Sequence, residues 1–180
     1  MQRRTFVLAL SFAPLAALAQ SSGAGDFDFL VGDWSLVVRP KVSGLAAWIH
    51  GTPTLVGTWK AWRVDGGIDD EQRIVDASGN PRSALRSQRR YDAATARWSI
   101  ATTDAYHARN GAATARRDGD EVRVDGSYTS DGATVLTRTR YFAIARDAFR
   151  VRQDRSRDGG ATWEDGALEI DATRAAAPTP

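Results

Sequence analysis

The feature that most constrains this chain is a repeated alternation of apolar and polar residues, in segments separated by turn signals every ten residues or so. An alternation of period two predicts β-strands that bury one face. The separating dipeptides include Asp118-Gly119, Asp131-Gly132 and Gly159-Gly160, where glycine accepts the positive φ that hairpin turns need. After the first twenty residues, no window carries an apolar stripe at helical spacing. The pattern therefore predicts an all-β protein.

The segments predict about ten strands in up-and-down order. They cover residues 30–39, 54–64, 68–76, 82–91, 97–104, 111–117, 121–129, 133–145, 148–155 and 168–174. A series of hairpins removes its exposed edges by closing on itself. We therefore predict a single antiparallel up-and-down β-barrel of about ten strands, with at most a short helix or lid over residues 42–49.

The first twenty residues have the form of an export signal. Arg3 and Arg4 precede a short apolar run, and the run ends in Ala17-Leu18-Ala19, the small-x-small pattern that signal peptidase cleaves. The paired arginines are also typical of twin-arginine signals, so export as an unfolded or as a folded chain both stay open. We predict cleavage near Ala19 and a periplasmic or secreted product.

The remaining chain divides into a flexible leader over residues 21–25, one lipocalin-like β-barrel domain over residues 26–174 and a disordered tail over residues 175–180. The sequence has no cysteine, so an exported fold must be held by its core. Of the 24 basic residues, two lie in the export signal, which leaves 22 against 22 acidic residues. This balance predicts no nucleic-acid partner and, after cleavage, no membrane partner.

Two stretches at the ends of the domain resemble a known group. The opening FDFLVGDW (residues 27–34) and the closing SRDGGATW (residues 156–163), followed by LEI (168–170) and Arg174, are similar to uncharacterised bacterial domains considered lipocalin-like. The middle of the chain, RRYD (89–92) and then Trp98, also follows that group. The resemblance implies a calycin-type barrel in which Trp34, on the first strand, packs against Arg174 and closes the barrel. Fold alone does not imply a function.

The segment from Ser156 to Trp163 also matches the Asp-box pattern, which occurs repeatedly in sialidase propellers. A propeller needs several copies, and the chain has one. The residues themselves predict a structural hairpin turn in which the Asp158 carboxylate accepts backbone N–H bonds, Gly160 supplies positive φ and Trp163 packs beneath the turn.

The sequence has few residues suited to binding a metal or a cofactor, with two histidines and no cysteine. Neither His50 nor His107 has a second histidine or a carboxylate two to four positions after it. Asp118 and Asp120 begin like a calcium loop but lack its later ligands, and Asp69 with Glu71 could share a strand face as a second calcium candidate. Haem is an alternative because nitrobindins are small barrels that bind it through one histidine, for which His107 beside Tyr106 is the first candidate here. We predict no metal and no cofactor.

Arginine shares strand parity with apolar residues on several segments. Pointing inward, these side chains would line a cavity and favour a carboxylate or other anionic group; pointing outward, they form an arginine-rich skin, which is favoured because buried arginine needs a partner. If a cavity exists, the predicted ligand-binding residues are Trp62, Arg89, Tyr106, Arg138 and Arg140.

Three functions stay open. The leading hypothesis is a small-molecule binder for a partly apolar, possibly anionic ligand. The second is a barrel enzyme, an isomerase or hydrolase, with an acid–base pair such as Glu71 and Tyr106 or His107. The chain has no nucleophile elbow and no phosphate-binding glycine loop, so no catalytic residue is predicted. The third is a packed structural module without a ligand, and the oligomeric state is not predicted.

Overall fold

The computed structural model describes residues 23–42 and 53–176, which form a closed barrel of ten antiparallel strands. The strands are β1 (Gly32–Pro40), β2 (Leu55–Val64), β3 (Gly67–Val75), β4 (Pro81–Asp92), β5 (Arg97–Asp104), β6 (Arg109–Asp118), β7 (Glu121–Ser130), β8 (Ala133–Phe142), β9 (Ala148–Ser156) and β10 (Glu164–Arg174). The predicted all-β, up-and-down barrel is confirmed. The predicted helix or lid over residues 42–49 lies, apart from Val42, outside the described residues.

Each strand pairs with its neighbours in sequence, and β1 pairs with β10 to close the sheet. The closing register runs from Trp34 opposite Arg174 to Pro40 opposite Leu168. The only helical element in the described ranges is a single 3₁₀ turn, Asp28–Leu30. Within those same ranges, no helix has the length and apolar character needed to cross a bilayer.

One end of the barrel, called here the closed end, is filled by the segment that precedes β1. Phe27 and Leu30 of this segment are fully buried. The Phe27 ring meets the rings of Trp98 and Tyr141 edge to face, with centroids 5.2 and 5.7 Å apart. The Trp98 indole N–H donates to the carbonyl of Gly23 at 3.1 Å, so part of the predicted leader contacts the barrel. The chain entering β1 thus forms the floor of the barrel.

Trp34 and Arg174, the residues assigned to closure, are in direct contact at this floor. The Arg174 Cζ lies 3.8 Å from the centroid of the Trp34 ring, within cation–π range. Its guanidinium donates to the carbonyls of Val31 and Arg146, at 2.8 and 2.9 Å. Gly32 has a φ of 125°, and a Cβ there would fall 2.2 Å from Arg174 Nη1. The glycine two residues before Trp34 therefore gives the arginine its path across the floor.

The loop between β9 and β10 holds the predicted turn residues in one hydrogen-bond network. Ser156 Oγ donates to Asp158 at 2.7 Å and accepts from the Gly160 N–H at 2.8 Å. Asp158 in turn accepts the backbone N–H of Thr162 at 2.9 Å, while the Trp163 indole donates to the carbonyl of Gly160. These bonds pull the pKa of Asp158 well below its usual range, with the Thr162 hydroxyl the largest contributor. The polar groups of Ser156, Asp158 and Trp163 all form hydrogen bonds within the turn, which indicates a structural role.

Candidate functional site

A cavity of about 490 Å³ occupies the barrel interior above the aromatic floor. Within the described part of the chain, the cavity is open at the end of the barrel opposite the floor, called here the open end. The β3–β4, β5–β6, β7–β8 and β9–β10 turns lie at this end. The apolar part of its wall comes from most of the strands. Its main members are Val38, Leu55, Trp59, Ile74, Leu85, Ile100, Ala113, Val124, Val151, Leu168 and Ile170. The lining is therefore largely apolar with polar groups at defined depths.

The deepest polar group is an ion pair between Asp70 on β3 and Arg89 on β4. Arg89 Nε lies 2.7 Å from Asp70 Oδ2, and both side chains are buried. The Trp59 indole N–H donates to the other carboxylate oxygen at 2.8 Å. The guanidinium also lies over the Phe27 ring, with Cζ 4.8 Å from its centroid, so the pair sits directly on the floor. Burial in such a site is tolerated because each charge has a partner.

The pKa shifts of Arg89 and of its neighbour Tyr141 indicate that neither group changes its charge near neutral pH. Burial acts to lower the pKa of Arg89, but the attraction of the Asp70 carboxylate and its hydrogen bond outweigh that effect and raise the value. Burial raises the pKa of Tyr141, although the neighbouring Arg89 opposes that shift. Arg89 is therefore always a cation, and Tyr141 keeps its hydroxyl proton at neutral pH.

Two further polar side chains face the cavity next to the pair. Ser87, only 2% exposed, points inward from β4, and its Oγ has no hydrogen-bond partner. Its backbone lies directly opposite that of Asp70. Gln72 is the next inward residue along β3 and also lines the cavity; its amide makes no side-chain hydrogen bond within the residues that the structure describes. A buried hydroxyl without a partner is costly, so this layer has unused hydrogen-bonding capacity.

The rim of the cavity carries a second charged cluster. Asp104, at the end of β5, lies 2.6 Å from His107 Nδ1 and 3.3 Å from Arg109 Nη2. It also accepts a hydrogen bond from the Ser83 hydroxyl at 3.2 Å and from the Ala84 backbone. Burial acts to raise the pKa of Asp104, but hydrogen bonds from His107 and Ala84 outweigh it and bring the value to about 2. The cluster holds a carboxylate, an oriented imidazole and a guanidinium at the cavity entrance.

The opposite side of the rim is closed by a separate ion pair. Arg155 on β9 lies 2.6 Å from Glu164 on β10, and Tyr128 is among its neighbours. Just below, Gln153 donates to the Thr139 hydroxyl at 3.0 Å. At the rim, each of these charges therefore already has a partner within the protein.

Of the five predicted ligand-binding residues, Arg89 lines the cavity and four do not. Trp62 is 37% exposed on the outer face of β2, because the inward positions there are Trp59 and Ala61. Arg138 and Arg140 also point outward. Tyr106 is 49% exposed on the β5–β6 turn, beside His107.

The strand β8 has the opposite phase from the one that its apolar residues suggested. Thr137, Thr139 and Tyr141 face inward, while the Arg138 side chain covers the Trp163 ring, with Cζ 3.8 Å from its centroid. Arg140 pairs with Glu121 on the neighbouring strand β7. The arginine side chains therefore point in different directions on different strands. Arg89 and Arg155 point into the barrel, whereas Arg138 and Arg140 lie on its outer surface.

The acid–base pair proposed from Glu71 with Tyr106 or His107 is not formed. Glu71 lies on the outer face of β3 in an ion pair with Arg86, and Asp104 is the carboxylate that contacts His107. Asp69 likewise pairs with Arg90, so the calcium candidate on that face is occupied by arginine. Among residues 23–42 and 53–176, no group of three or more His, Cys, Asp and Glu side chains could hold a metal ion. His50 lies outside the described residues.

The residues missed from the sequence are Asp70, Gln72, Ser87, Asp104 and Arg109. Asp104 carries a signal in the sequence, since it stands three positions before His107, close enough for its carboxylate to reach the imidazole across a turn. Asp70 had none, because it looks like one of three consecutive acidic residues until the parity of β3 separates it from its neighbours.

No family model matches the chain, and no curated protein matches its sequence.

Proposed function

We propose that this protein is an exported, lipocalin-like binder of a small, partly apolar molecule. The observation that carries the proposal is the cavity of about 490 Å³, which has an apolar wall and a buried, unpartnered Ser87 hydroxyl. Sites for small molecules are concave, mostly apolar, some 300–1,000 Å³ in volume, and carry a few placed polar groups. The cavity matches each part of that description.

The cavity also argues against the packed structural module. A barrel that served only as a scaffold would gain stability by filling this volume, since each unfilled methyl-sized space costs about 1 kcal/mol. The inward positions on β6 and β7 are instead small, with Gly111, Ala113 and Gly126 lining the space. Small residues on adjacent strands keep the centre of the barrel empty.

Export is the second part of the proposal. Arg3, Arg4 and the Ala17-Leu18-Ala19 site support it, because together they have the form of a cleavable export signal. Expression of the full chain with a C-terminal tag should give a periplasmic species whose mass corresponds to cleavage after Ala19. An uncleaved cytoplasmic product would contradict this part alone.

The binding proposal is tested with Nile red, an uncharged dye whose emission rises in apolar surroundings. We expect saturable binding at micromolar concentration. Ala113→Phe should abolish it by filling the cavity, whereas the matched Ala101→Phe, on the exposed outer face of β5, should bind like the wild type. Absence of saturable binding to the wild type, or equal binding by both variants, would contradict a cavity binder.

A second candidate function is supported by the rim cluster. Asp104 holds His107 through Nδ1, an arrangement that leaves Nε2 to accept a proton from water or substrate, as in general-base hydrolysis. The test is turnover of 4-nitrophenyl butyrate. A turnover at least a hundredfold lower in His107→Gln than in the wild type would support an enzyme. Equal turnover by the wild type and His107→Gln would exclude His107 as the base.

A further inference from the structure

The polar layer at the inner end of the cavity has a charge balance that selects its ligand. We infer that this layer binds an uncharged hydrogen-bond acceptor, the carbonyl of an amide, ketone or ester, in preference to a carboxylate. The inference rests on the proposed binding function and names the chemical class of the ligand. The ligand inferred here is neutral, whereas the arginines in the sequence had indicated an anionic ligand.

First, the positive charge of Arg89 is balanced within the protein by Asp70. Its single buried carboxylate partner, Asp70, lies 2.7 Å from Nε, so the pair has no net charge. A ligand carboxylate bound here would put two anions around one guanidinium, away from water. Like charges that share a buried site repel, and one of them is driven to take up a proton. A carbonyl brings no charge and avoids this cost.

The second step is the supply of hydrogen-bond donors. Ser87 Oγ is buried without a partner, and a hydroxyl can donate to a carbonyl oxygen. Tyr141 keeps its proton because burial raises its pKa, and it lines the same inner end. The guanidinium of Arg89 has further N–H groups besides the Nε that Asp70 engages and the one that donates to the Tyr141 oxygen. The layer therefore offers more donors than the protein itself uses.

The third step concerns Gln72, which lies diagonally across from Ser87 on the neighbouring strand. Its side-chain amide supplies both a donor and an acceptor and lines the cavity. A ligand with a carboxamide could use both groups, whereas a carboxylate can only accept. The layer is thus suited to a primary amide better than to the acid of the same shape.

The rim offers an anion no better site. Two of the three rim arginines that line the cavity, Arg109 and Arg155, already contact the carboxylates of Asp104 and Glu164. Arg82 at the β4 end is paired with Asp76. Within the described residues, each of these arginines thus has an acidic neighbour. The hydrogen-bond donors of the inner layer are therefore the groups that would decide between a neutral and an anionic ligand.

The experiment compares 2-naphthamide with 2-naphthoate as competitors of bound Nile red. The two have nearly the same shape and differ in charge. We expect 2-naphthamide to displace the dye at a concentration at least tenfold below that of 2-naphthoate at pH 7.5. If the dye binds but the naphthoate competes equally or better, or if neither competes, the inference is overturned while the binding function stands. If the dye itself does not bind, the binding function fails.

Two variants connect the preference to the inner layer. Ser87→Ala should weaken 2-naphthamide about fivefold or more, while Ser99→Ala on the outer face leaves it unchanged. Asp70→Asn removes the negative charge of the pair and should reverse the preference in favour of 2-naphthoate. An unchanged naphthamide affinity in Ser87→Ala contradicts the inference even where Asp70→Asn fails to fold.

Discussion

The two ends of the barrel are built from different chemistry. The closed end consists of aromatic side chains that are packed edge to face, with one arginine crossing beneath them to backbone carbonyls. The open end consists of carboxylates, arginines and a histidine arranged around a space. Large apolar burial stabilises a fold, whereas paired charges near water contribute little each. We therefore expect stability to be concentrated at the floor, while the proposed binding would use the cavity and the rim.

The largest expected effect is at the floor. Phe27→Ala should lower the free energy of unfolding by about 3–5 kcal/mol, because Phe27 is fully buried and its ring packs against three other rings and a guanidinium. The matched open-end variant, Tyr106→Ala, should change it by no more than about 0.5 kcal/mol, since that ring is half exposed. Urea unfolding followed by circular dichroism measures both. Equal losses would remove the distinction between the ends.

The next effect concerns the arginine under the floor. Arg174→Ala removes the cation–π contact with Trp34 and two hydrogen bonds to carbonyls, and should cost about 2–3 kcal/mol in urea unfolding. Arg174→Lys should be intermediate because an ammonium group cannot span both carbonyls. Arg39→Ala, which breaks an exposed pair with Asp171, serves as the control and should cost less than about 1 kcal/mol. A control as damaging as Arg174→Ala would argue against a special closing role.

Acid should weaken the open end before the floor. The pKa of Asp104 is about 2 in the folded protein and 3.8 in its ordinary state, so between these values the unfolded chain binds more protons. The stability due to Asp104 is therefore fully present above about pH 5, and it falls as the pH drops through 4 toward 2, by about 2 kcal/mol in all.

Asp76, whose pKa is also lowered to about 2, chiefly by a hydrogen bond from the Asn80 backbone, titrates in the same range. The measurement is therefore the difference in unfolding free energy between the wild type and Asp104→Asn, followed from pH 6 to pH 2. It should shrink with acid, and a difference that is constant with pH would contradict the assignment.

The smallest expected effect distinguishes a cavity group from a structural one. Ser87 and Ser156 are equally buried, but only Ser156 has hydrogen-bond partners. Ser87→Ala should leave the unfolding free energy unchanged or raise it, because its hydroxyl has no hydrogen bond to lose, whereas Ser156→Ala should lower it by about 1–3 kcal/mol. Thermal unfolding of the two variants side by side provides the test. A large loss in Ser87→Ala would mean that its hydroxyl serves the fold.

Much of the fold could be read from alternation and turn residues, because a strand that buries one face must repeat every second residue. The last strand begins earlier than predicted, at Glu164. An irregularity between Glu164 and Leu168, where Gly166 takes a φ of 60°, interrupts the alternation there.

The site was harder to predict because an inward face around a cavity need not be apolar. On β8 the inward residues include threonines, and the outward ones include Leu136 and Phe142, so composition indicated the wrong phase. Asp70 and Arg89 become a buried pair only through the register of β3 with β4, which no local pattern specifies.

An even number of strands in simple succession places both chain ends on the same side of the sheet cylinder. Here the chain enters β1 after Val31 and leaves β10 at Arg174, and both points lie at the floor. An affinity tag or surface linker joined next to Gly23 or Ala176 would therefore be attached on the side away from the entrance. Immobilised through that side, the protein would present its mouth to the solution, and ligand binding could be measured on a sensor chip without steric interference from the support.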